Sequence, residues 1–128
     1  MRANVFIIGL IVASSLCTSA LAAEAAEDCK NPQSQLALNT CAARDYERED
    51  ARLNRNYREL VAKLDAERKS QLKEVQLAWI KFRDLQCEYD STQYQGGTIY
   101  SLVHSACLLQ MTKQRNKDLK AMIEDASL

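Results

Sequence analysis

The chain of 128 residues carries 17 Lys and Arg against 17 Asp and Glu, a formal net charge of zero. That balance argues against nucleic-acid binding, which needs a basic face to neutralise phosphates, and against a polybasic membrane-surface protein. The length allows one domain with one modest core.

Residues 1–22 read as a signal peptide. Arg2 precedes an apolar run from Val5 through Val12 to Leu16, and small residues then lead to Ala20-Leu21-Ala22. The run is too short, and Glu24, Glu27 and Asp28 follow too soon, for a membrane span, so no stable anchor is expected after cleavage. Cys17 is rejected as a lipidation site because Leu16 stands where the lipoprotein-cleaving enzyme needs a small residue. Cleavage after Ala22 removes Arg2 and leaves residues 23–128, a helical domain of 106 residues with 16 basic and 17 acidic groups.

Four cysteines remain, Cys29, Cys41, Cys87 and Cys107, and an even count in an exported chain reads as two disulfides. Three pairings are possible and sequence does not choose among them. The preferred set joins Cys29 to Cys41, closing a short N-terminal loop, and Cys87 to Cys107, tying two helices across a glycine turn. Zinc is disfavoured because no two cysteines have close ligand spacing and there is one histidine. No cofactor is expected.

The expected fold is all-α, a small disulfide-linked bundle built on an antiparallel helical hairpin plus a third helix. Asn31-Pro32 marks a turn and the start of the first helix, with proline tolerated in its first turn. At 100° per residue, Ala43, Tyr46, Asp50, Leu53, Asn54, Tyr57, Leu60, Val61 and Leu64 share a face about 120° wide. Arg44, Arg48, Arg52, Arg55, Glu59 and Lys63 fall outside it, a solvated stripe. No glycine or proline separates this helix from the next. A single rod would be unusually long for a small domain, so a break is placed at Asp65, whose side chain can cap a helix starting at Ala66.

The second helix is expected to bury Leu72, Val75, Gln76, Trp79, Phe82, Arg83 and Gln86, with Lys73, Lys81, Asp84 and Glu88 opposite. In an antiparallel hairpin, residues equally far from the turn meet, which predicts an ion pair between Asp50 and Arg83. Residues 91–100 are polar and aromatic, with Gly96-Gly97 as the break, so the chain turns there. A third helix over residues 101–125 carries His104, Leu108, Met111, Thr112, Arg115, Leu119, Met122 and Ile123 on its apolar face.

The candidate chemistry is sparse. His104 lacks an identifiable nucleophile or carboxylate partner and reads as a packing residue. Asp45, Glu47 and Glu49 sit among arginines on the outward side of the first helix, and a three-helix domain hardly provides a glycosidase cleft. Phosphate loop, zinc-protease helix and nucleophile elbow motifs do not occur, so no catalytic residue is assigned and the protein is not expected to be an enzyme. The turn and its flanks, Tyr94, Gln95, Gly96, Gly97, Thr98 and Tyr100, with His104 beside them, form the expected partner-facing surface, because tyrosines in a cross-linked loop offer contact area at low ordering entropy.

Taken together, Cys41, Tyr46, Asp50, Leu53-Asn54, Tyr57, Gln76, Ala78-Trp79, Arg83-Asp84, Cys87, Gly96-Gly97-Thr98-Ile99, Cys107, Thr112, Arg115 and Leu119 resemble the LprI-type domain of exported bacterial proteins. The resemblance runs from Cys29 to about Leu119 and is most specific over residues 76–87 with the double glycine that follows. Tyr46, Asp50, Asn54, Tyr57, Gln76, Trp79, Arg83 and Arg115 are read as its structural motif. Two departures stand out: there is no lipidation cysteine, and Ala66 stands where many relatives place proline.

The family is named after a mycobacterial lipoprotein that inhibits lysozyme. The resemblance therefore implies a periplasmic or secreted protein that binds a lysozyme and occludes its cleft, protecting peptidoglycan. The alternative is a non-catalytic envelope or stress protein that binds another protein partner. Neither reading involves nucleic acid, and oligomeric state is left open.

Overall fold

The computed structural model describes residues 29–128; the signal-peptide expectation for residues 1–22 lies outside them. Three helices run up, down and up: α1 (Gln35–Lys63), α2 (Ala66–Ser91) and α3 (Tyr100–Asp125), with a 3-10 turn (Thr92–Tyr94) after α2. All-α architecture, the hairpin and the third helix agree with expectation. α1 and α3 are parallel and lie closest together along their length, whereas α2 runs antiparallel to both and approaches α3 more than α1.

Helix boundaries follow local chemistry. Ser34, not Pro32, starts α1: its Oγ accepts the Ala37 amide at 3.0 Å. Pro32 lies in the preceding irregular segment, because a capping hydroxyl satisfies a free amide that proline at helix start would only delete. α1 ends at an extended Leu64, and Asp65 Oδ1 accepts the Arg68 amide at 2.9 Å, opening α2. The predicted break at Asp65 is thus the actual one, two residues long.

The apolar core sits toward this hairpin end. Leu53, Leu60, Leu72, Leu119 and Ile123 are buried together, with Tyr57, Val61, Leu64, Trp79 and Ala126 packed around them. Toward the opposite end the buried residues are mostly small, namely Ala37, Cys41, Cys87 and Ser91, with Leu108 beside Cys107 as the one large side chain among them. There the chain is linked covalently, Cys29 to Cys41 and Cys87 to Cys107, each with Cα atoms 5.5 Å apart. Both bonds match the preferred pairing.

Several expected faces are corrected. Glu49, placed outward from sequence, is buried, and so is Asn56, while Asn54 is exposed and donates back to the Asp50 carbonyl and carboxylate. The reason is that α1 serves two neighbours. Asp50 and Tyr46 look toward α2, but Glu49, Leu53, Asn56 and Leu60 form the seam against α3. Across that seam Asn56 Nδ2 donates to Asn116 Oδ1 at 2.9 Å, and Asn116 Nδ2 donates to Glu49 Oε1 at 2.8 Å and to its carbonyl at 3.1 Å. A buried polar chain of this kind fixes the axial register of two parallel helices, since a slip leaves its members unpaired.

On α2, Leu72, Gln76, Arg83, Cys87 and Ser91 are buried, whereas Val75 and Phe82, expected inside, retain 52% and 56% of their surface. Val75 and Phe82 lie about 100° to 120° around the helix from Gln76, beyond the arc that two neighbouring helices cover. Met122 is likewise exposed on α3.

Candidate functional site

The motif residues converge on a layer between the two ends of the bundle. Arg83, 6% exposed, donates from Nη1 to Asp50 Oδ1 at 3.1 Å and from Nε to Asp84 Oδ1 at 2.9 Å. The predicted pairing with Asp50 is therefore present. Its guanidinium lies 5.5 Å from the Tyr46 ring centre and 5.3 Å from that of Trp79, within cation–π range. Burial pulls its pKa down, but the hydrogen bonds to Asp84 and Asp50 outweigh this and leave it raised.

Arg115 approaches the same Trp79 ring at 5.8 Å and donates from Nε to Gln76 Oε1 at 3.0 Å. Its Nη2 is buried and, among the described residues, has no hydrogen-bond acceptor. Burial lowers its pKa, opposed by Asp118. Tyr46 is shifted upward, first by burial and then by Asp50 and Asp84, with Arg83 opposing. Tyr57 packs against the core and Asn54 caps nothing beyond its own turn. Apart from Arg115 Nη2, the hydrogen bonds of Asp50, Gln76, Arg83 and Arg115 are spent within this layer.

The turn after α2 is different. Residues 92–99 are all exposed, and residues 91–103 contain no charged side chain. Ser91 Oγ donates to the Cys87 carbonyl at 2.7 Å and Thr92 Oγ1 to the Glu88 carbonyl at 2.8 Å, closing the helix end. Gly96 has φ of 80°, a left-handed conformation that favours glycine. A Cβ on Gly97 would meet the Tyr94 carbonyl oxygen at 3.1 Å, and the Gly97 amide donates to that same oxygen at 2.9 Å.

The far side of the turn is pinned from three directions. Asn39 of α1 donates to the Thr98 carbonyl at 2.9 Å. Tyr100 donates its hydroxyl to Glu88 Oε2 at 2.8 Å, and its ring stacks on His104 at 5.8 Å with planes 11° apart. The hydrogen bond to Glu88 raises the Tyr100 pKa, partly offset by Ser91. The Cys87 to Cys107 bond closes the base. Tyr94, Gln95, Gly96, Gly97 and Thr98 thus share one presented turn, while Tyr100 and His104 form its footing beside Glu88.

Sequence reasoning missed Asn39 and Glu88, the two anchors of this turn. From sequence Glu88 reads as an outward-facing charge, and nothing in the sequence marks Asn39. Among the described residues no three His, Cys, Asp or Glu side chains are placed to hold a metal, and no helix is long and apolar enough to cross a membrane. A shallow apolar groove of about 300 Å³ lies at the hairpin end between Leu60, Leu64, Leu72, Val75 and Met122.

An uncharacterized protein of Rhizobium meliloti (strain 1021) is 37% identical over 124 residues, covering 86% of this chain and 89% of the relative. No solved structure matches the chain. The family model described as lysozyme inhibitor LprI matches residues 25–119, a span that holds both disulfides, the arginine–tryptophan layer and the glycine turn, so the chain belongs to that family.

Proposed function

We propose that this protein is exported, acts in the periplasm or outside the cell, and binds and inhibits a lysozyme by placing the 92–99 turn in its cleft. Family membership over residues 25–119 is the observation that carries this reading. The turn adds physical support. Lysozyme-type sites work with a pair of carboxylates flanking a sugar. An uncharged turn bearing amides and hydroxyls can donate to such carboxylates without repelling them, and Tyr94 supplies a flat face of the kind that stacks well in sugar and protein sites. Anchoring by Asn39, Glu88 and the Cys87 to Cys107 bond means little ordering entropy is lost on docking. On this reading the protein itself performs no chemistry and uses no cofactor.

The test is titration of the disulfide-intact protein against a vertebrate-type lysozyme and a bacterial lytic enzyme, reading residual cell-wall hydrolysis. Stoichiometric inhibition of either is expected. Tyr94→Ala, at a position that keeps 37% of its surface, should lower the melting temperature modestly while the protein stays folded, and weaken inhibition by roughly tenfold or more. Full inhibition by Tyr94→Ala would remove the turn as the contact surface. Failure of the folded wild type against both enzymes would remove lysozyme as the target.

A further inference from the structure

α2 carries a second apolar stripe that the bundle does not cover. Val75, Ala78, Phe82, Leu85 and Tyr89 follow one another at spacings of three, four, three and four residues, all exposed. The four large ones keep 52%, 56%, 61% and 78% of their surface. Strict three–four alternation is the signature of a coiled-coil seam, with 75, 82 and 89 at one core position and 78 and 85 at the other. This seam faces away from Gln76, Arg83 and Cys87, which α2 turns toward the rest of the bundle. The exposed side chains amount to roughly 500 Å² of contiguous apolar area, at the upper end of what a monomer carries and about half of a minimal stable interface.

We infer that this face is a homodimer interface, in which α2 packs antiparallel against α2 of a second copy about a two-fold axis near residues 83 and 84. The inference is independent of lysozyme inhibition. Two features select a second copy as the occupant. The first is steric. In this register Phe82 faces the partner's Leu85 and the small Ala78 faces the partner's large Tyr89, so each layer pairs complementary volumes. A parallel arrangement would put Ala78 against itself beside a pair of phenylalanines, leaving a void next to a crowded layer.

The second feature is charge. Flanking the seam are Glu74, Lys81 and Glu88, all exposed. The antiparallel register sets Lys81 beside the partner's Glu88, whose Oε2 accepts from Tyr100 of its own chain and whose Oε1 is left for the pair, and the two-fold axis repeats the contact; Glu74 falls beyond the end of the partner's α2 and meets no like charge there. An arrangement centred on Lys81 would oppose Lys81 to itself and Glu74 to Glu88, so charge rejects that slip. Symmetry makes one self-complementary stripe sufficient for a closed dimer.

Sedimentation equilibrium of the disulfide-intact protein, from micromolar to millimolar concentration, tests this, with near-ultraviolet circular dichroism of the single Trp79 as the check on folding. The wild type should shift reversibly from one to two chain masses. Leu85→Glu and Phe82→Lys, both at open positions, should keep the Trp79 signal and raise the dissociation constant roughly 30-fold or more. Lys81→Glu should weaken the dimer, and combining it with Glu88→Lys should restore it. A wild type that stays monomeric throughout, a dimer that survives both seam variants, or a charge swap that does not restore association would each overturn the inference.

Discussion

The two ends of this bundle are held by different physics. At the hairpin end, five aliphatic side chains are buried together under Tyr57, Val61 and Trp79. At the turn end the buried residues are alanine, cysteine and serine with one leucine, Leu108, beside Cys107, and two disulfides supplement this small core. A domain of about 100 residues has too little interior to pack both ends equally. The difference shows how such a domain can present a rigid, exposed turn: covalent links supplement burial where the surface has to stay open.

Between the ends, Arg83 and Arg115 flank one tryptophan ring and contrast in the same way. Arg83 is matched by two carboxylates, so its charge is stabilised in the fold. Arg115 relies on Gln76 and the ring, and burial lowers its pKa, so holding its charge costs free energy at neutral pH.

The sharpest break in the comparison is at Leu119, which is fully buried in the aliphatic end. Leu119→Ala should cost about 3 to 5 kcal/mol, a large part of the 5 to 15 kcal/mol typical of a domain, and should collapse both ends together in a thermal melt. A loss under about 1 kcal/mol would show that the aliphatic cluster is not what holds the bundle.

Removing the other support should act locally before it acts globally. Replacing Cys87 and Cys107 together by serine opens a link spanning 20 residues and should cost about 2 to 4 kcal/mol. Hydrogen exchange should rise first in residues 92–103, while amides around Leu53 and Leu119 stay protected. Uniform loss of protection along the chain would mean that the two ends are not separately supported.

The smallest effect concerns the layer between them. Tyr46 has a folded pKa raised above its ordinary value near 10, so the fold favours the neutral phenol. That contribution is fully present below about pH 10 and is lost as pH rises through the folded value. Denaturant melts of wild type and Tyr46→Phe should therefore differ in pH slope only on the alkaline side. Parallel slopes above pH 10 would show that the fold does not hold the Tyr46 phenol neutral against ionisation.

Local chemistry made the break at Asp65 and the glycine turn legible in the sequence, whereas the start of α1, read at Pro32, lies at Ser34. Asp65 could be read as a cap because a carboxylate ahead of a helical pattern satisfies amides that nothing else can reach, and Gly96 because a left-handed residue favours glycine. Asp50 and Arg83 could be paired because an antiparallel hairpin equates residues equidistant from its turn. These are short-range or symmetric relations, and the apolar periodicity that made the chain all-α is of the same kind.

Only the tertiary structure decided which face of each helix meets which neighbour. Glu49, Asn56 and Asn116 are polar and appear solvated until α1 and α3 lie parallel and their amides close on one another across 60 or more residues of chain. Val75 and Phe82 look like core until α2 is seen to be apolar on two faces and covered on one. Periodicity shows that a face is apolar, but burial depends on where the other helices stand, and that placement is set by the seam and the disulfides together.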